Sequence, residues 1–317
     1  MSRDSRPWLS VVMPTYNGAA YVGAALESVC REAADDIEVV VADDGSTDAT
    51  LDVVQSYGAR VALRVVSRER VGNWVVGTNT ALRAANGRFA CFLHQDDVWL
   101  PGRVAALRRE LATFEGPLLV HASTFLDPGG APLGAWRTPF RAGGTVASSA
   151  FVERLLVQNF LAIPAPVFDR ASALDLGGLD ESLWYTADWD FWLRLARLGP
   201  VRVLRERLTG FRVHPGSQTM AKDRTRRAFE EQLSAALERH LEAWARDVPP
   251  RRARSVRRAA EFSIQVNSAL AAAYRGERLD VAGLARSFVA LGPAGWTRYL
   301  RDSRIFERVG ARLQLRR

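Results

Sequence analysis

Phe92-Leu93-His94-Gln95-Asp96-Asp97-Val98-Trp99 places two adjacent carboxylates directly behind an apolar, strand-like run, Phe89 to Leu93. Close carboxylates repel and each raises the other's pKa, so a buried strand seldom ends this way without a partner for the charge. A divalent cation is such a partner. Hard cations take oxygen ligands and often accept only one or two from protein while a diphosphate brings the rest. Upstream, Val39-Val40-Val41-Ala42-Asp43-Asp44-Gly45-Ser46-Thr47-Asp48 is a second acid-tipped strand. Two such strands imply a metal–nucleotide site at the carboxyl edge of one sheet.

Working outward, short apolar runs alternate with helical spacing. Leu9–Met13, Ile37–Ala42, Val61–Val66 and Arg88–Leu93 read as strands. Between them Ala19–Arg31, Ala49–Tyr57 and Gly72–Ala85 read as helices, the second capped by Thr47-Asp48. Strands alternating with helices predict an α/β fold: a mostly parallel sheet flanked by helices and joined by right-handed crossovers. The β-branched run at Ile37–Ala42 suits a strand covered on both faces. Ligands of such sheets sit beyond the strands' carboxyl ends, where Pro14–Asn17, Asp43-Asp44 and His94–Asp97 fall.

Downstream, Leu118–Ala122 is a strand, the Gly- and Pro-rich stretch 127–144 a long loop, and Ser148–Gln158 a helix. Ala165–Asp169 and Val201–Leu204 are strands, Asp188–Leu198 is a helix with Trp189 and Trp192 toward the core, and Leu208–Ser217 is extended before a turn. Beyond Ala221 the pattern is almost wholly helical, interrupted at Pro249-Pro250 and Gly292-Pro293.

The 317 residues, 48% hydrophobic and 25% charged, have the composition of an ordinary globular protein. Met1–Pro7 is polar without a signal-like apolar run, and no stretch approaches the roughly 20 apolar residues that span a bilayer. With only Cys30 and Cys91, both in apolar segments, free core thiols and a cytoplasmic location are expected. The net charge of +8 is unevenly spread: residues 222–317 hold 21 basic and 11 acidic side chains. Solvated helix faces explain that excess, as does attraction to an anionic membrane surface. Nucleic acid is not the expected partner, since neither zinc-finger spacing nor an RNP-like aromatic signature occurs. Trp296, Tyr299, Leu300, Ile305, Phe306 and Val309, interleaved with Arg298, Arg301, Arg304 and Arg308, suit an interfacial helix and equally a helix packed on its own domain.

Together these motifs resemble the inverting family-2 glycosyltransferases of the GT-A fold. The resemblance is carried by Val12–Gly18, Val41–Asp48 and His94–Asp97. It continues through Gly177-Gly178-Leu179-Asp180, Ala187-Asp188-Trp189-Asp190 and Phe211-Arg212-Val213-His214. It covers residues 8–220 and divides the chain into a nucleotide-sugar half (8–120), an acceptor half (121–220) and a basic helical region (221–317). It implies a nucleotide-diphosphate sugar, UDP- or dTDP-linked, and a divalent cation. Thr15, Tyr16 and Asp44 match positions that hold base and ribose. Pro14, Asn17, Asp43, Arg70, Asn73, Asp97 and Arg212 complete the expected donor contacts. Asp96 matches the last acid of a D-x-D metal motif, with His94 and His214 as further metal-site candidates. Asp188 matches the general base, and Trp184 and Tyr185 are candidates to stack on the acceptor. The acceptor class implied is a saccharide or lipid-linked saccharide of cell-envelope polysaccharide synthesis, at the inner face of the plasma membrane.

Two departures matter. His94 stands where the first acid of D-x-D is usual: it either ligates metal, which favours manganese over magnesium since magnesium prefers oxygen, or hydrogen-bonds ribose or phosphate without touching metal. Ala187 replaces a common Glu, leaving Asp188 as the base unless Asp190 serves; two residues apart on a helix, only one can face the cleft. Read without the resemblance, Asp43, Asp44, Asp48 and Asp97 are equally turn formers or caps, and Trp184 and Tyr185 equally core. Two other functions compete. A nucleotidyltransferase would need a basic Gly-rich loop after the first strand. A non-catalytic sugar-nucleotide-binding or scaffold subunit would fit the loss of the acid at position 94. A dehydrogenase is disfavoured, because no Gly-x-Gly-x-x-Gly follows a strand.

Overall fold

The computed structural model describes residues 6–32, 34–214, 216, 225–274 and 277–314. Strands β1 (Leu9–Thr15), β2 (Ile37–Asp43), β3 (Ala62–Ser67) and β4 (Phe89–Phe92) alternate with helices α1 (Val22–Cys30), α2 (Thr50–Ser56) and α3 (Trp74–Ala84). β3, β2, β1 and β4 lie side by side and parallel. Successive residues of β1 and β2 enter opposite cores. Val11, Val39 and Val41 pack on one face with α1, and Val12, Val40 and Ala42 on the other with α3. That two-sided burial is why these strands read as unbroken apolar runs.

Next come β5 (Val98–Trp99), α4 (Arg103–Leu111), β6 (Leu118–Leu126), β7 (Pro132–Trp136), β8 (Gly144–Val146), α5 (Ser148–Val157), β9 (Val167–Asp169), α6 (Arg170–Asp175), α7 (Ala187–Ala196) and β10 (Val201–Arg212). Among the described residues the sheet has ten strands in the order β3-β2-β1-β4-β9-β6-β10-β5, with β7 on β6 and β8 on β10. β9 inserts antiparallel between β4 and β6, while β6 and β10 are parallel.

Three local expectations are corrected. Stretch 127–144 is not a bare loop: it holds β7 and leads into β8. β7 lacks alternation and β-branched residues because it is shaped by pairing, not by burial. Asp127 closes its turn, the Ala131 amide donating to Oδ1 at 2.8 Å and the Asp127 amide to the Ala131 carbonyl. Val201–Leu204 and the following extended stretch are one strand, β10, whose register against β6 slips between Val203 and Thr209. The part of that stretch at Ser217 lies outside the described residues. Helix α2 has Ala49, not Thr47 or Asp48, at its N-cap. Asp48 instead accepts from the Thr50 amide at 3.0 Å and the Ala19 amide at 3.2 Å, tying the β2 loop to the start of α1.

The C-terminal helices are α8 (Arg226–Ala245), α9 (Pro250–Tyr274), α10 (Val281–Ser303) and α11 (Ile305–Gln314). Pro250 opens α9, where its missing N–H costs nothing. At the expected Gly292-Pro293 break α10 kinks through Gly292, φ +70°. Leu233, Leu237, Val256 and Phe262 join the core that holds Trp189, Trp192 and α5. α11 lies on β7. No described helix is long and apolar enough to cross a membrane. Cys30 and Cys91 are free thiols.

Candidate active site

The carboxyl ends of β1, β2 and β4 open into one cavity. It is lined by Pro14, Thr15, Tyr16, Asp44, Arg70, Asn73, Trp74, His94, Gln95, Asp96 and His214, among others. A second cavity lies toward α7 and the C-terminal helices. Its walls include Trp74, His94, Asp96, Asn159, Trp184, Tyr185, Asp188 and Phe211. Trp74, His94 and Asp96 belong to both, so the cavities meet at the His94–Asp97 turn.

The acids at β2 organise the first cavity's rim. Asp44 accepts from the Val71 amide at 2.9 Å, the Gly72 amide at 2.7 Å and Arg68 Nε at 3.0 Å. With both oxygens engaged, it shapes the 68–72 loop. That loop lays the Arg70 guanidinium over the Tyr16 ring, 3.4 Å from its centroid. Gly45, φ +73°, allows the approach: a Cβ there would stand 3.2 Å from the Arg70 amide nitrogen. Asn73 caps α3, accepting from the Val75 amide at 3.0 Å, and donates to the Glu181 carbonyl.

Four expected donor contacts do not line this cavity. Asp43 is buried, accepting from Thr15 Oγ1 at 2.8 Å and the Ser46 amide at 2.8 Å. Asn17, at φ +43°, holds the Thr47 amide at 2.9 Å. Both brace the loops whose neighbours form the wall. Arg212 is buried behind Asp96, donating from Nε to the Asp96 carbonyl at 2.8 Å and from Nη1 to the Pro128 carbonyl at 2.9 Å. A guanidinium engaged by backbone carbonyls positions the Asp96 turn and the β6–β7 turn; it does not face the first cavity. Asp97 borders the second cavity instead and accepts the Arg212 amide at 2.9 Å.

The paired acids divide their charge. Burial works against ionisation of Asp96, but the hydrogen bond from His214 and the flanking imidazoles outweigh it and hold this carboxyl below its ordinary range. His214 Nε2 stands 2.9 Å from Asp96 Oδ2. Asp97 is driven well up by burial and then by Asp96's charge, and its Oδ2 is unpartnered among the described residues. Burial lowers the pKa of His94, and its buried Nε2 has no partner among the described residues. No group of three or more His, Cys, Asp or Glu stands ready to hold a metal among the described residues. The set is instead Asp96 with His214 and the open nitrogen of His94. One carboxylate and imidazole nitrogens suit a cation whose remaining ligands come from a diphosphate.

Asp188, in the first turn of α7, faces the second cavity. Its pKa is pushed up to about 6 by burial, against the opposing hydrogen bonds from the Trp189 amide and Asn159 Nδ2 at 2.9 Å. Asp190 points the other way: fully buried, it is held by Arg194 at 2.8 Å, His240 at 2.9 Å and Arg239 at 3.1 Å. It fastens α7 to α8. Trp184 and Tyr185 line the cavity and pack edge-on against Phe229 of α8.

A family model described as glycosyl transferase family 2 matches residues 10–126. An uncharacterized glycosyltransferase of Rickettsia prowazekii is 25% identical over 218 residues, 67% of this chain and 66% of that protein. The segment 10–126 is thus a glycosyltransferase family 2 segment. Another relative, a PGL/p-HBAD biosynthesis glycosyltransferase of Mycobacterium bovis, is 29% identical over 190 residues, 59% of this chain and 69% of that one. Among solved structures, Staphylococcus aureus TarS in complex with UDP-GlcNAc superposes with a TM-score of 0.65 at 19% identity, over 93% of this chain and 79% of that one. Mannosyltransferase PcManGT from Pyrobaculum calidifontis, in complex with GDP-Man and Mn2+, gives 0.55 at 19% identity, over 98% and 88%. These likenesses are of fold, and the fold is GT-A.

Several residues of this family-2 site escaped sequence reading. Trp74, shared by both cavities, was hidden as the first residue of a helix. Asn159, which holds Asp188, stands in an irregular turn after α5. Asn267 and Arg308 come from the C-terminal helices and line the second cavity. No local spacing signals a contact made across some 100 residues or more of chain; only the amphipathic packing of α9 and α11 places them there.

Proposed function

We propose that this protein is a metal-dependent, inverting glycosyltransferase. It moves a sugar from a nucleotide-diphosphate donor to a saccharide or lipid-linked saccharide acceptor in cell-envelope glycan synthesis. The observation that carries the reading is the junction of the two cavities at Trp74, His94 and Asp96, with Asp188 across the second one. Donor and acceptor seated in the two cavities would meet at that junction, as an in-line displacement at the anomeric carbon requires.

Asp188 takes the acceptor hydroxyl's proton as the new bond forms, a contribution of roughly 10²–10⁴-fold. A pKa near 6 makes it a better base than an ordinary aspartate while leaving it ionised at pH 7. Asn159 fixes the rotamer through Oδ2. In the first cavity Tyr16 and Arg70 form a stacking platform for the base, and the wall at Thr15 and Asp44 meets its edge. Asp96 and His214, with His94 beside them, would hold the cation. Once bound, it supplies Lewis-acid stabilisation of the charge on the leaving diphosphate. Imidazole in the set favours manganese over magnesium, and PcManGT, similar in fold, holds Mn2+. TarS binds UDP-GlcNAc and PcManGT binds GDP-Man, which supports a nucleotide-sugar donor; UDP or dTDP is the reading we favour. The mycobacterial relative's part in PGL/p-HBAD biosynthesis supports a glycolipid setting. The exposed apolar and basic residues of α10 and α11 support residence at the inner face of the plasma membrane.

Calorimetry with UDP-, dTDP- and GDP-sugars in manganese, magnesium or EDTA tests the reading, on the wild type and Asp96→Ala. Metal-dependent binding of one donor, lost in the variant, is expected. Absence of binding to every donor under every metal condition would refute it.

A further inference from the structure

The second cavity is not closed by the sheet domain alone. Asn267 of α9 and Arg308 and Ala311 of α11 line it together with Asp188. Arg308 is buried and donates from Nη2 to Asn267 Oδ1 at 2.7 Å, joining the two helices at the cavity wall. α11 is in turn seated on β7 through Glu307, which accepts from the Arg137 amide at 2.8 Å and from Arg137 Nη1 at 3.1 Å.

The cavity has walls of two characters. His94, Asp96, Asn159 and Asp188 are polar and suited to hydroxyls and phosphate. Phe125, Val213 and Ala311 form a small apolar cluster, with Trp136 and Phe211 packed against it. Phe125 and Trp136 stack nearly parallel, 4.8 Å between centroids and 8° between planes, and Phe211 meets Trp136 edge-on at 5.2 Å. All five line the cavity. This wall offers an apolar group van der Waals contact and, apart from the indole N–H of Trp136, no side-chain hydrogen-bond partner.

We infer that the acceptor is amphiphilic: a sugar or hydroxyl group at Asp188 joined to an apolar aryl or alkyl group seated against Phe211, Val213 and Ala311, with the Arg308–Asn267 pair holding α11 and α9 together at that wall. The C-terminal helices are then specificity elements of the acceptor site. The inference rests on the transferase reading only in calling the ligand an acceptor; the cavity's preference is independent of turnover.

The test is a binding measurement. p-Nitrophenyl and methyl glycosides of a panel of hexoses are titrated into the full chain, following quenching of tryptophan fluorescence and heat. The aryl glycoside of at least one sugar is expected to bind at least tenfold more tightly than its methyl counterpart. Ala311→Leu, which crowds the apolar wall, and Phe211→Ala, which removes part of it, should each cut aryl binding at least fivefold. Phe306→Ala, on the outward face of the same helix, should leave it unchanged. Methyl and aryl glycosides binding alike, or neither binding, would overturn the inference, as would aryl binding that survives both cavity variants. Because no nucleotide is present, failure of donor binding in calorimetry would refute the transferase reading without touching this result.

Discussion

Asp188 shows how position and environment compete at a single residue. A carboxylate in the first turn of a helix is favoured in its charged form by the helix dipole, an effect that by itself weakens it as a base. Burial outweighs the dipole and pushes its pKa up to about 6. Two outcomes follow if Asp188 is the base. The logarithm of kcat/KM against pH should rise through an acid limb near pH 6 and be flat above it, and Asp188→Asn should reduce kcat by 10²–10⁴-fold while leaving donor affinity intact. The same shift bears on stability. The folded-state pKa lies above the unfolded one, so its stabilising contribution is fully present below about pH 4 and lost as pH rises through 6. At pH 7 Asp188→Asn should therefore be more stable than the wild type by on the order of 1–3 kcal/mol. Urea denaturation at pH 7 checks this, and a less stable variant would show that the carboxylate is well solvated. Neither the direction nor the size of the shift was legible in Ala187-Asp188-Trp189, because it arises from the surrounding walls of the cavity. The segregation of Asp190 from Asp188 was legible, because helix geometry alone sets it.

At the scale of elements, the loop 68–72 links fold to site. Asp44 holds two of its amides and Arg68, and the loop presents Arg70 to Tyr16. Asp44→Ala leaves two amides without acceptors and should cost about 1–3 kcal/mol. It should also release Arg70 from Tyr16 and weaken donor binding at least tenfold, and Asp44→Asn, which keeps one acceptor oxygen, should fall between. Calorimetry and thermal melts of the two variants separate these effects; donor affinity unaltered in Asp44→Ala would exclude the loop from the donor site. The strands that carry this loop and its neighbours were readable, since β1, β2 and β4 are buried on both faces and their apolar runs end in turn residues. β7 and β8 were not, because they are half-exposed, short and Gly- or Pro-bearing, and exist by pairing with β6 and β10. Arg212 shows a related limit. The resemblance implies a donor contact there, but in this structure its guanidinium is engaged by the carbonyls of Asp96, Asp127 and Pro128.

For the whole molecule, the basic helices after position 222 are built into the sheet domain: α8 and α9 complete the core around Trp189 and Trp192, and α9 and α11 wall the second cavity. Deleting residues 225–317 should expose that core and give an insoluble or partly folded chain, so truncation cannot report on membrane affinity. Surface substitutions can. Phe306 is 74% exposed, Leu313 58% and Val289 66%, all on α10 or α11 and none in the cavity wall. If these residues dip into an anionic surface, the folded protein should co-sediment with phosphatidylglycerol vesicles and much less with phosphatidylcholine alone. Binding should fall as salt rises from 0.05 to 0.5 M, because the Debye length shrinks severalfold toward about 4 Å. Phe306→Asp with Leu313→Asp should then reduce sedimentation at least tenfold, since each change removes apolar insertion and adds a repelled charge. Circular dichroism and donor affinity of that double variant should match the wild type, its two side chains being exposed. Undiminished sedimentation of the double variant would exclude Phe306 and Leu313 from the contact, and absence of sedimentation by the wild type would assign the basic excess to solvated helix faces.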